Sequence, residues 1–406
     1  MDRQELIALL TPEAMGLLAR LPRLDGPGDA LGLVTRLRRE GHAPATVAAV
    51  LGQLRLRRRA AAKFGPFAER MLFTEAGLEQ ATRLQIAAHH AERFRAAGVR
   101  SIADLGCGIG ADSMAFASLG FRVIAVDRDE VTAAVATHNL AVFDDVEVRH
   151  GAAEEQDLSE VEALWFDPAR RADGKRLRDP GDWSPSLDFV FARGGPGRRH
   201  ALGVKLAPAV PHELLPEGEG VETQWVSVDR ELVESTVWAG GTERPGVTRS
   251  ALVTGRRGSH ELNAEGAAED EPVGELGAYL HEPDPAVVRA RLIGDLAREL
   301  GARMIAPDIA WMTTDEAAAS PFAASFRVRE VLPLQPARLK RELRERGIGA
   351  LEIKKRGVDV DPAELRRRLA LRGEEQATLI LTRIGAARRA ILADREAEPE
   401  PDPISP

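Results

Sequence analysis

The chain has 406 residues, of which 44% are hydrophobic and 29% are charged, so it is long enough for two or three globular domains. Its formal net charge of −8 argues against a globally basic nucleic-acid coat, although it leaves room for a local basic patch. The single cysteine, Cys107, excludes an intrachain disulfide framework and favours a cytoplasmic protein. The sequence contains no CxxC or HExxH zinc pattern, so we expect no metal among its partners. It also contains no secretory signal and no apolar run of membrane-spanning length, so we expect no membrane among them.

Residues 1–62 are predicted to form a helical N-terminal region. Leucines recur there at helical spacing, and Thr46 is the predicted N-cap of the last helix of the region. That helix is expected to end in an arginine cluster, Arg55 and Arg57–Arg59. The cluster is well placed against the helix dipole on a solvated face, and a contact with RNA phosphates is the alternative.

A further helix is predicted to begin within Phe73–Thr82 and to run to about Ala97. Glu79, Gln80 and Thr82 would lie in its first turn. A helix N-terminus with free amides and short polar side chains commonly lines a ligand site. Ordinary N-terminal capping explains the same residues equally well.

The stretch from Arg100 to Asp129 indicates a strand, a glycine turn, a helix and a second strand. Ser101–Leu105 is a short apolar run typical of a buried parallel strand. Glycines follow at alternate positions and would let a ligand approach the bare backbone. Asp127 lies about 20 residues further on, where a carboxylate can accept hydrogen bonds from ribose hydroxyls. The sequence therefore predicts a nucleoside-containing cofactor.

The glycines alone leave the kind of cofactor open, because Gly106, Gly108 and Ala111 also satisfy the G-x-G-x-x-G/A dinucleotide pattern. Asp104 helps to discriminate between the two kinds of cofactor, since an anion there would repel a pyrophosphate but can pair with a cationic amino acid moiety. The segment from Asp104 to Gly110, DLGCGIG, resembles motif I of class I S-adenosylmethionine (SAM) methyltransferases. The resemblance implies SAM as the cofactor, with binding residues Asp104, Gly106, Cys107, Gly108, Gly110, Asp127 and Arg128.

The same resemblance implies residues for the two ends of the cofactor. In many methyltransferases an element just before motif I lies over the methionine end, and Glu79 and Gln80 are the candidates for this role. Val146–His150 is the predicted third strand, and the resemblance implies that Ala153 and Glu154 after it flank the adenine.

The predicted fourth strand, Val161–Phe166, ends in Asp167-Pro168-Ala169-Arg170-Arg171. This loop resembles motif IV of amino-methyltransferases, D/N-P-P-aromatic, which holds the target amine. The resemblance implies Asp167, Pro168 and Arg170 as catalytic candidates. An arginine in place of the aromatic residue puts base stacking in doubt, and could meet a phosphate or a carboxylate instead. An ordinary Asp-Pro turn is the alternative for Asp167.

His200–Leu206 is predicted as the fifth strand. Lys205 near its end could approach the site, but we expect a snorkelling lysine there. A hairpin of Glu222–Val228 and Leu232–Trp238 is typical of the close of the class I methyltransferase fold. We therefore expect an α/β, Rossmann-like, seven-stranded methyltransferase sheet over residues 63–255. Residues 256–275, rich in glycine and charge, are predicted to be a linker or a loose hairpin.

Residues 276–392 are predicted to form a C-terminal α+β region. It would contain an amphipathic helix, Ala286–Leu300, and a β-α-β-α-β unit over about 326–385, while residues 393–406 are expected to be a disordered tail. Taken whole, the chain resembles a bacterial class I methyltransferase family with a C-terminal THUMP-like domain. Besides DLGCGIG and DPARR, the motifs that carry this resemblance are LEQAT at 78–82 and EIKKRGVDVDP at 352–362.

THUMP domains in related proteins bind structured RNA. By this analogy the basic helix Arg338–Arg346 and the tip formed by Lys354, Lys355 and Arg356 would contact RNA phosphates, and a solvated turn is the alternative for the tip.

The sequence thus predicts a SAM-dependent methyltransferase acting on a nitrogen or oxygen of an RNA. Cys107 lies in the cofactor turn and is poorly placed to attack a base, which disfavours C5-pyrimidine chemistry. A non-catalytic, SAM-responsive RNA-binding protein is one alternative. An NAD-type dehydrogenase is another, but it leaves Asp104 and the DPARR loop unexplained.

Overall fold

The computed structural model describes residues 1–22, 27–168, 171–172, 175–176, 183–195, 197–256 and 258–397. The chain divides into two compact units. The first consists of Met1–Leu206, Glu219–Val221 and Val237–Glu243, and the second of Ala207–Gly218, Glu222–Thr236 and Arg244–Pro406. The second unit therefore begins earlier than the linker that we predict at residues 256–275.

The N-terminal region is helical, as its leucine spacing predicts. Its helices are α1 (Arg3–Leu9), α2 (Pro12–Arg20), α3 (Pro27–Arg39) and α4 (Pro44–Phe64). Thr46 is not an N-cap, because α4 already begins at Pro44. Proline is favoured at the first helical position, where the backbone N–H that it lacks would have no partner within the helix. The arginines predicted for the end of this helix lie inside it, because α4 continues to Phe64. Arg57 donates to the carbonyl oxygen of Met71 at 2.9 Å, and burial lowers its pKa to about 10.

The segment predicted as one helix up to Ala97 is two helices, α5 (Glu75–Gln80) and α6 (Leu84–Ala96). Ala81 has extended-type backbone angles and ends α5. Lys63 reinforces this end by donating to the carbonyl oxygens of Leu78, Glu79 and Ala81, each at 2.8 Å. Glu79 and Gln80 therefore lie in the last turn of a short helix, and not in the first turn of a long one.

The strands and helices that follow alternate. The elements are β1 (Ser101–Leu105), α7 (Ala111–Ser118), β2 (Arg122–Asp127), α8 (Glu130–Leu140), β3 (Val146–His150), β4 (Ala163–Phe166), β5 (Arg171–Ala172), β6 (Lys175–Arg176), α9 (Leu187–Arg193), β7 (Ala201–Leu206), β8 (Val221–Val228), β9 (Glu231–Ala239), β10 (Arg249–Gly255) and β11 (Gly258–Ala264). A nine-stranded sheet has the order β11-β10-β8-β9-β7-β4-β1-β2-β3, and β5 and β6 pair separately.

Strands β3, β2, β1, β4 and β7 run parallel to one another. Strand β1 is buried along its whole length, because helices cover both faces of a parallel sheet. Parallel strands bring their carboxyl ends to one edge, which places Leu105, Asp127 and Phe166 at the same edge of the sheet. This edge carries the candidate site.

Two strands extend the sheet beyond the expected seven. Strand β10 pairs in parallel with β8, and β10 and β11 form a regular antiparallel hairpin from Arg249 to Ala264. The segment predicted as a linker or loose hairpin thus begins with a fully paired strand.

The rest of the second unit contains a seven-stranded sheet of order β13-β14-β12-β15-β18-β17-β16. Its elements are β12 (Tyr279–Pro283), α10 (Pro285–Ala290), α11 (Ile293–Leu300), β13 (Arg303–Met304), β14 (Met312–Thr314), β15 (Ala323–Pro333), α12 (Pro336–Glu345), β16 (Ile348–Lys355), α13 (Pro362–Leu369), β17 (Glu375–Ile384) and β18 (Ala387–Arg395). Leucines of α12 and α13 join Leu379 and Leu381 in one core cluster, whereas Ile380 belongs to another with Trp311 and Phe326, as the alternation of a strand requires.

Two C-terminal predictions need correction. The helix expected over Ala286–Leu300 is broken into α10 and α11 at Arg291, which has a left-handed backbone with φ +59°. Strand β18 extends to Arg395 and pairs with β15 and β17, so the expected disordered tail cannot begin at residue 393. Residues 398–406 of that tail lie outside the described residues.

Candidate functional site

The loop after β1 contains three glycines with positive φ, which are Gly106 at +97°, Gly108 at +58° and Gly110 at +89°. A Cβ on Gly106 would lie 2.6 Å from the backbone oxygen of Asp167, so only glycine allows the two loops to approach this closely. A Cβ on Gly108 would have no atom of the described residues within 4 Å. The backbone at Gly108 is therefore open to a ligand.

Asp104 is 1% exposed and lies near the end of β1. Its Oδ2 accepts a hydrogen bond from the Ser113 hydroxyl at 2.5 Å. Its Oδ1 is buried and has no hydrogen-bond partner among the described residues. Burial is the main cause that raises the pKa of the Asp104 carboxyl well above its ordinary value, and the charges of Asp112 and Asp167 act in the same direction. This acceptor is suited to a cation that arrives with a ligand.

Asp127 ends β2 beside the glycine loop. Its Oδ2 accepts from the backbone N–H of Gly108 at 3.0 Å, and its Oδ1 accepts from that of Asp129 at 2.9 Å. Burial raises the pKa of the Asp127 carboxyl, although both of these hydrogen bonds act to lower it. The carboxylate thus shapes the loop and lies where ribose hydroxyls are expected. The side chain of its neighbour Arg128 is exposed.

The other predicted cofactor residues occupy different environments. Ala153 is buried and Glu154 is exposed in a short 3-10 helix after β3. Glu79 and Gln80 are exposed. Cys107 is buried, and burial, with the charges of Asp104 and Asp127, raises the pKa of its thiol well above the ordinary value. A thiol held protonated in this way is a poor nucleophile.

Asp167 directly follows β4, and its backbone N–H donates to the carbonyl oxygen of Leu105 at 3.2 Å. Its side chain is 33% exposed, so the carboxylate is accessible to an acceptor molecule. Pro168 is buried. Arg170, the third residue expected in this loop, lies outside the described residues, as does Ala169.

Lys205 is not the snorkelling lysine that the sequence suggests. Its side chain is only 12% exposed, and its Nζ donates to Asp167 Oδ2 at 2.7 Å and to Thr82 Oγ1 at 2.9 Å. The sequence indicated that Lys205 could approach the site, but not its contact with Asp167 or the contributions of Asp112 and His90. A lysine at the end of a central parallel strand was the available signal, because such a position lies at the ligand-binding edge of the sheet.

The three basic residues predicted to contact RNA at the end of β16 differ in how accessible they are. Lys354 is half-buried, and its Nζ lies 2.7 Å from Glu282 Oε2. Lys355 is exposed. Burial lowers the pKa of Arg356. Of the three, Lys355 is therefore the residue that the structure leaves most accessible.

The residues of the site fit the expected cofactor at two points. The amino acid end of SAM carries an ammonium group, which matches the buried Oδ1 of Asp104, an atom without a hydrogen-bond partner in the described part of the chain. The open backbone at Gly108 lies next to Asp127, the expected ribose ligand.

In the described part of the chain, no group of three or more His, Cys, Asp or Glu side chains could hold a metal ion. Nor does any helix there have the length and apolar character needed to span a membrane.

Two family models match the chain. Residues 323–395 match a family described as THUMP domain-like, which covers β15 to β18. Residues 2–60 match a domain of unknown function, DUF8688, which covers most of the N-terminal helices. The THUMP-like region that we predict from the sequence is thereby confirmed.

Three proteins are similar to this chain over most of its length. A candidate methyltransferase from Porphyromonas gingivalis W83 has the same fold, with a TM-score of 0.71 over 98% of this chain and 100% of that chain at 21% identity. Two uncharacterized S-adenosylmethionine-dependent methyltransferases of Mycobacterium tuberculosis, from strains CDC 1551 and H37Rv, are each 33% identical over 350 residues, which is 82% of this chain and 91% of each relative. These relatives favour neither the dehydrogenase nor the non-catalytic alternative. The chain therefore belongs to the SAM-dependent methyltransferases, with SAM as its cofactor and a THUMP-like domain at its C-terminus.

Proposed function

We propose that this methyltransferase transfers the methyl group of SAM to a nitrogen or oxygen atom of an RNA. The observation that carries the proposal is the THUMP domain-like match over residues 323–395, because THUMP domains in related proteins bind structured RNA. A domain match does not by itself identify a ligand, so the surface of this domain and the methyltransferase site must also suit an RNA.

The surface of the THUMP-like region supplies cations for a phosphate backbone. Helices α12 and α13 share one core cluster and expose a set of arginines, which are Arg338, Arg341, Arg344, Arg366, Arg367 and Arg368. Several of them pair with glutamates of their own helix, for example Arg341 with Glu345 at 3.8 Å. Exposed pairs of this kind contribute about 0–1 kcal/mol, so phosphates can replace the glutamates at little cost.

The site offers an acceptor-holding group of the right chemistry. When bound, SAM supplies an electrophilic methyl group on its sulfonium. The partly exposed Asp167 carboxylate can accept an N–H or O–H of the acceptor and so direct the lone pair of that atom. Cys107 is buried and its thiol stays protonated, which disfavours a covalent route to a pyrimidine carbon. A nitrogen or oxygen acceptor requires no such nucleophile.

Asp167→Ala tests the acceptor site. We expect methyl transfer to RNA to fall about 100-fold or more, because alanine has no oxygen to accept the N–H or O–H of the acceptor. The affinity for SAM should stay within about threefold, since Asp167 faces the acceptor. The measurement is incorporation of labelled methyl from SAM into transcribed ribosomal and transfer RNAs and into total bacterial RNA. Mass spectrometry of digested nucleosides then identifies the methylated atom.

Matched incubations with DNA, with a protein extract and with nuclease-treated RNA serve as controls. Label that enters protein or small molecules and never RNA would refute the RNA acceptor. Full activity of Asp167→Ala would instead refute the role of this side chain, while leaving the RNA acceptor in place.

The double variant Arg341→Gln, Arg367→Gln tests the basic surface. We expect RNA affinity to fall about tenfold, and the slope of log affinity against log salt to decrease by about 2, because two phosphate contacts are lost. Lys354→Gln is the matched control, since Lys354 is half-buried against Glu282 and should leave that slope unchanged. If only Lys354→Gln changed the slope, RNA would contact the end of β16, and the assignment to α12 and α13 would be wrong.

A further inference from the structure

A line of polar contacts connects the interior of the first unit to Asp167. His90 Nδ1 lies 2.8 Å from Asp112 Oδ1, and the Thr82 hydroxyl donates to Asp112 Oδ2 at 2.7 Å. Lys205 then donates both to Thr82 at 2.9 Å and to Asp167 at 2.7 Å. The line starts on α6 and ends at Asp167, directly after β4.

All members of the line except Asp167 are largely removed from solvent. His90 is 2% exposed, Thr82 5% and Asp112 6%, while the Lys205 side chain is 12% exposed. A polar network buried to this degree is costly unless each member is satisfied, so it is retained only where it specifies a particular arrangement.

Asp112 fixes the direction of the Thr82 hydroxyl. The hydroxyl has a single hydrogen, and Asp112 accepts it. Its lone pairs are then left to accept from Lys205, as the 2.9 Å contact shows. Asp112 therefore orients Lys205 through Thr82. The hydrogen bond and charge of His90, with the charge of Lys205, hold the pKa of Asp112 below its ordinary value although burial acts to raise it.

Lys205 lies among carboxylates that repel one another. The charge of Asp167 acts to raise the pKa of both Asp104 and Asp127, and the charge of Asp112 acts to raise that of Asp104. The charge of Lys205 acts in the opposite direction on Asp104 and on Asp112. Among the charges described at this edge of the sheet, that of Lys205 therefore offsets the repulsion between an ionised Asp167 and the neighbouring carboxylates.

We propose that Lys205 is a positioning residue for Asp167, and that Thr82 and Asp112 hold its ammonium where it keeps the Asp167 carboxylate ionised and fixed in orientation. This inference rests on the proposed role of Asp167 towards the acceptor. It assigns no contact between Lys205 and the RNA or SAM. The consequence is that Asp167 can hold an acceptor proton at neutral pH inside a predominantly acidic site.

The first test needs no acceptor. The protein is labelled with carbon-13 at the aspartate carboxyl carbons, and the Asp167 signal is assigned by its loss in Asp167→Asn. In Lys205→Met we expect this signal to titrate at higher pH than in the wild type, because removal of a cation favours the protonated carboxyl. Lys205→Arg keeps the charge and should return the titration towards the wild-type position. An unchanged titration in a folded Lys205→Met would overturn the proposal.

Thr82→Val provides a second variant in case Lys205→Met does not fold. Valine retains the shape of threonine but cannot join Asp112 to Lys205, so the Asp167 signal should move in the same direction by less. Arg149→Met is the matched control, because it removes a cation that pairs with Glu147 on the same strand, β3. If the Asp167 signal in Arg149→Met titrated at as high a pH as in Lys205→Met, the shift would result from net charge alone and the proposal would be wrong.

Methyl-transfer kinetics supply the second readout. We expect kcat/KM for RNA in Lys205→Met to fall at least about tenfold at neutral pH, with its acid limb moved to higher pH, while SAM affinity changes little. A fall that is equal at every pH would indicate structural damage and would count against the proposal. Absence of RNA methylation by the wild-type protein would refute the proposed function, yet the titration would still decide the role of Lys205.

Discussion

Asp104→Asn is expected to weaken SAM binding about tenfold to a hundredfold. The buried Oδ1 of Asp104 has no partner among the described residues, and a hydrogen bond between charged groups contributes about 1.5–3 kcal/mol. Asparagine has the same shape and can still accept from Ser113, but it carries no charge for the ammonium of the cofactor. Calorimetric titration with SAM and with S-adenosylhomocysteine measures the loss, because both ligands carry this ammonium.

The same carboxyl should make binding depend on pH. Burial raises the pKa of Asp104, so part of the free protein holds the carboxyl protonated, and an arriving ammonium favours its ionised form. Binding therefore releases a proton, and SAM affinity should rise with pH, by up to about tenfold per unit, until the pH exceeds that raised pKa. Asp104→Asn should lose this part of the dependence.

Stability should change in the opposite direction. The folded protein binds the Asp104 proton more tightly than the unfolded chain does, so this carboxyl lowers stability as the pH rises from its unfolded pKa to its raised folded pKa. Asp104→Asn removes that penalty, and thermal unfolding without ligand should occur at a higher temperature at neutral pH. A variant with wild-type SAM affinity would contradict the assignment of Asp104 to the cofactor.

Gly106→Ala is expected to lower the free energy of unfolding by about 2–4 kcal/mol. The new Cβ would lie 2.6 Å from the backbone oxygen of Asp167, and φ at this position is +97°, beyond the usual left-handed region. Relief of the clash must move the loop that carries Asp167, so methyl transfer should fall together with stability. Chemical denaturation measures the first effect and the methylation assay the second.

Gly108→Ala is the matched control in the same loop. Its φ of +58° is a left-handed conformation that alanine adopts at a cost of about 1–2 kcal/mol, and its Cβ would meet no atom of the described residues within 4 Å. Stability should therefore fall less than in Gly106→Ala. SAM affinity should fall at least about tenfold, because the added methyl group occupies space intended for the ligand. Equal losses of stability in the two variants would show that the approach to Asp167 is not what requires glycine at position 106.

Local signals predicted the elements with sharp boundaries. Ser101–Leu105 is the strand that its apolar run indicates, because a short stretch of consecutive residues is enough to define a buried strand. Periodicity failed where the chain turns without a sequence marker. The pattern across Ala286–Leu300 continues through Arg291, and a left-handed residue that is not glycine gives no such marker.

The sequence by itself determined the cofactor loop, since the spacing of Asp104, the glycines and Asp127 follows from one strand, one turn and the next strand. Such short-range geometry is set by backbone dihedral angles and strand length, which residue types encode directly. Only the tertiary structure decided that Lys205 contacts Asp167. The two residues are 38 positions apart in the chain, and they meet because the parallel sheet brings the end of β7 beside that of β4, a contact that no local pattern records.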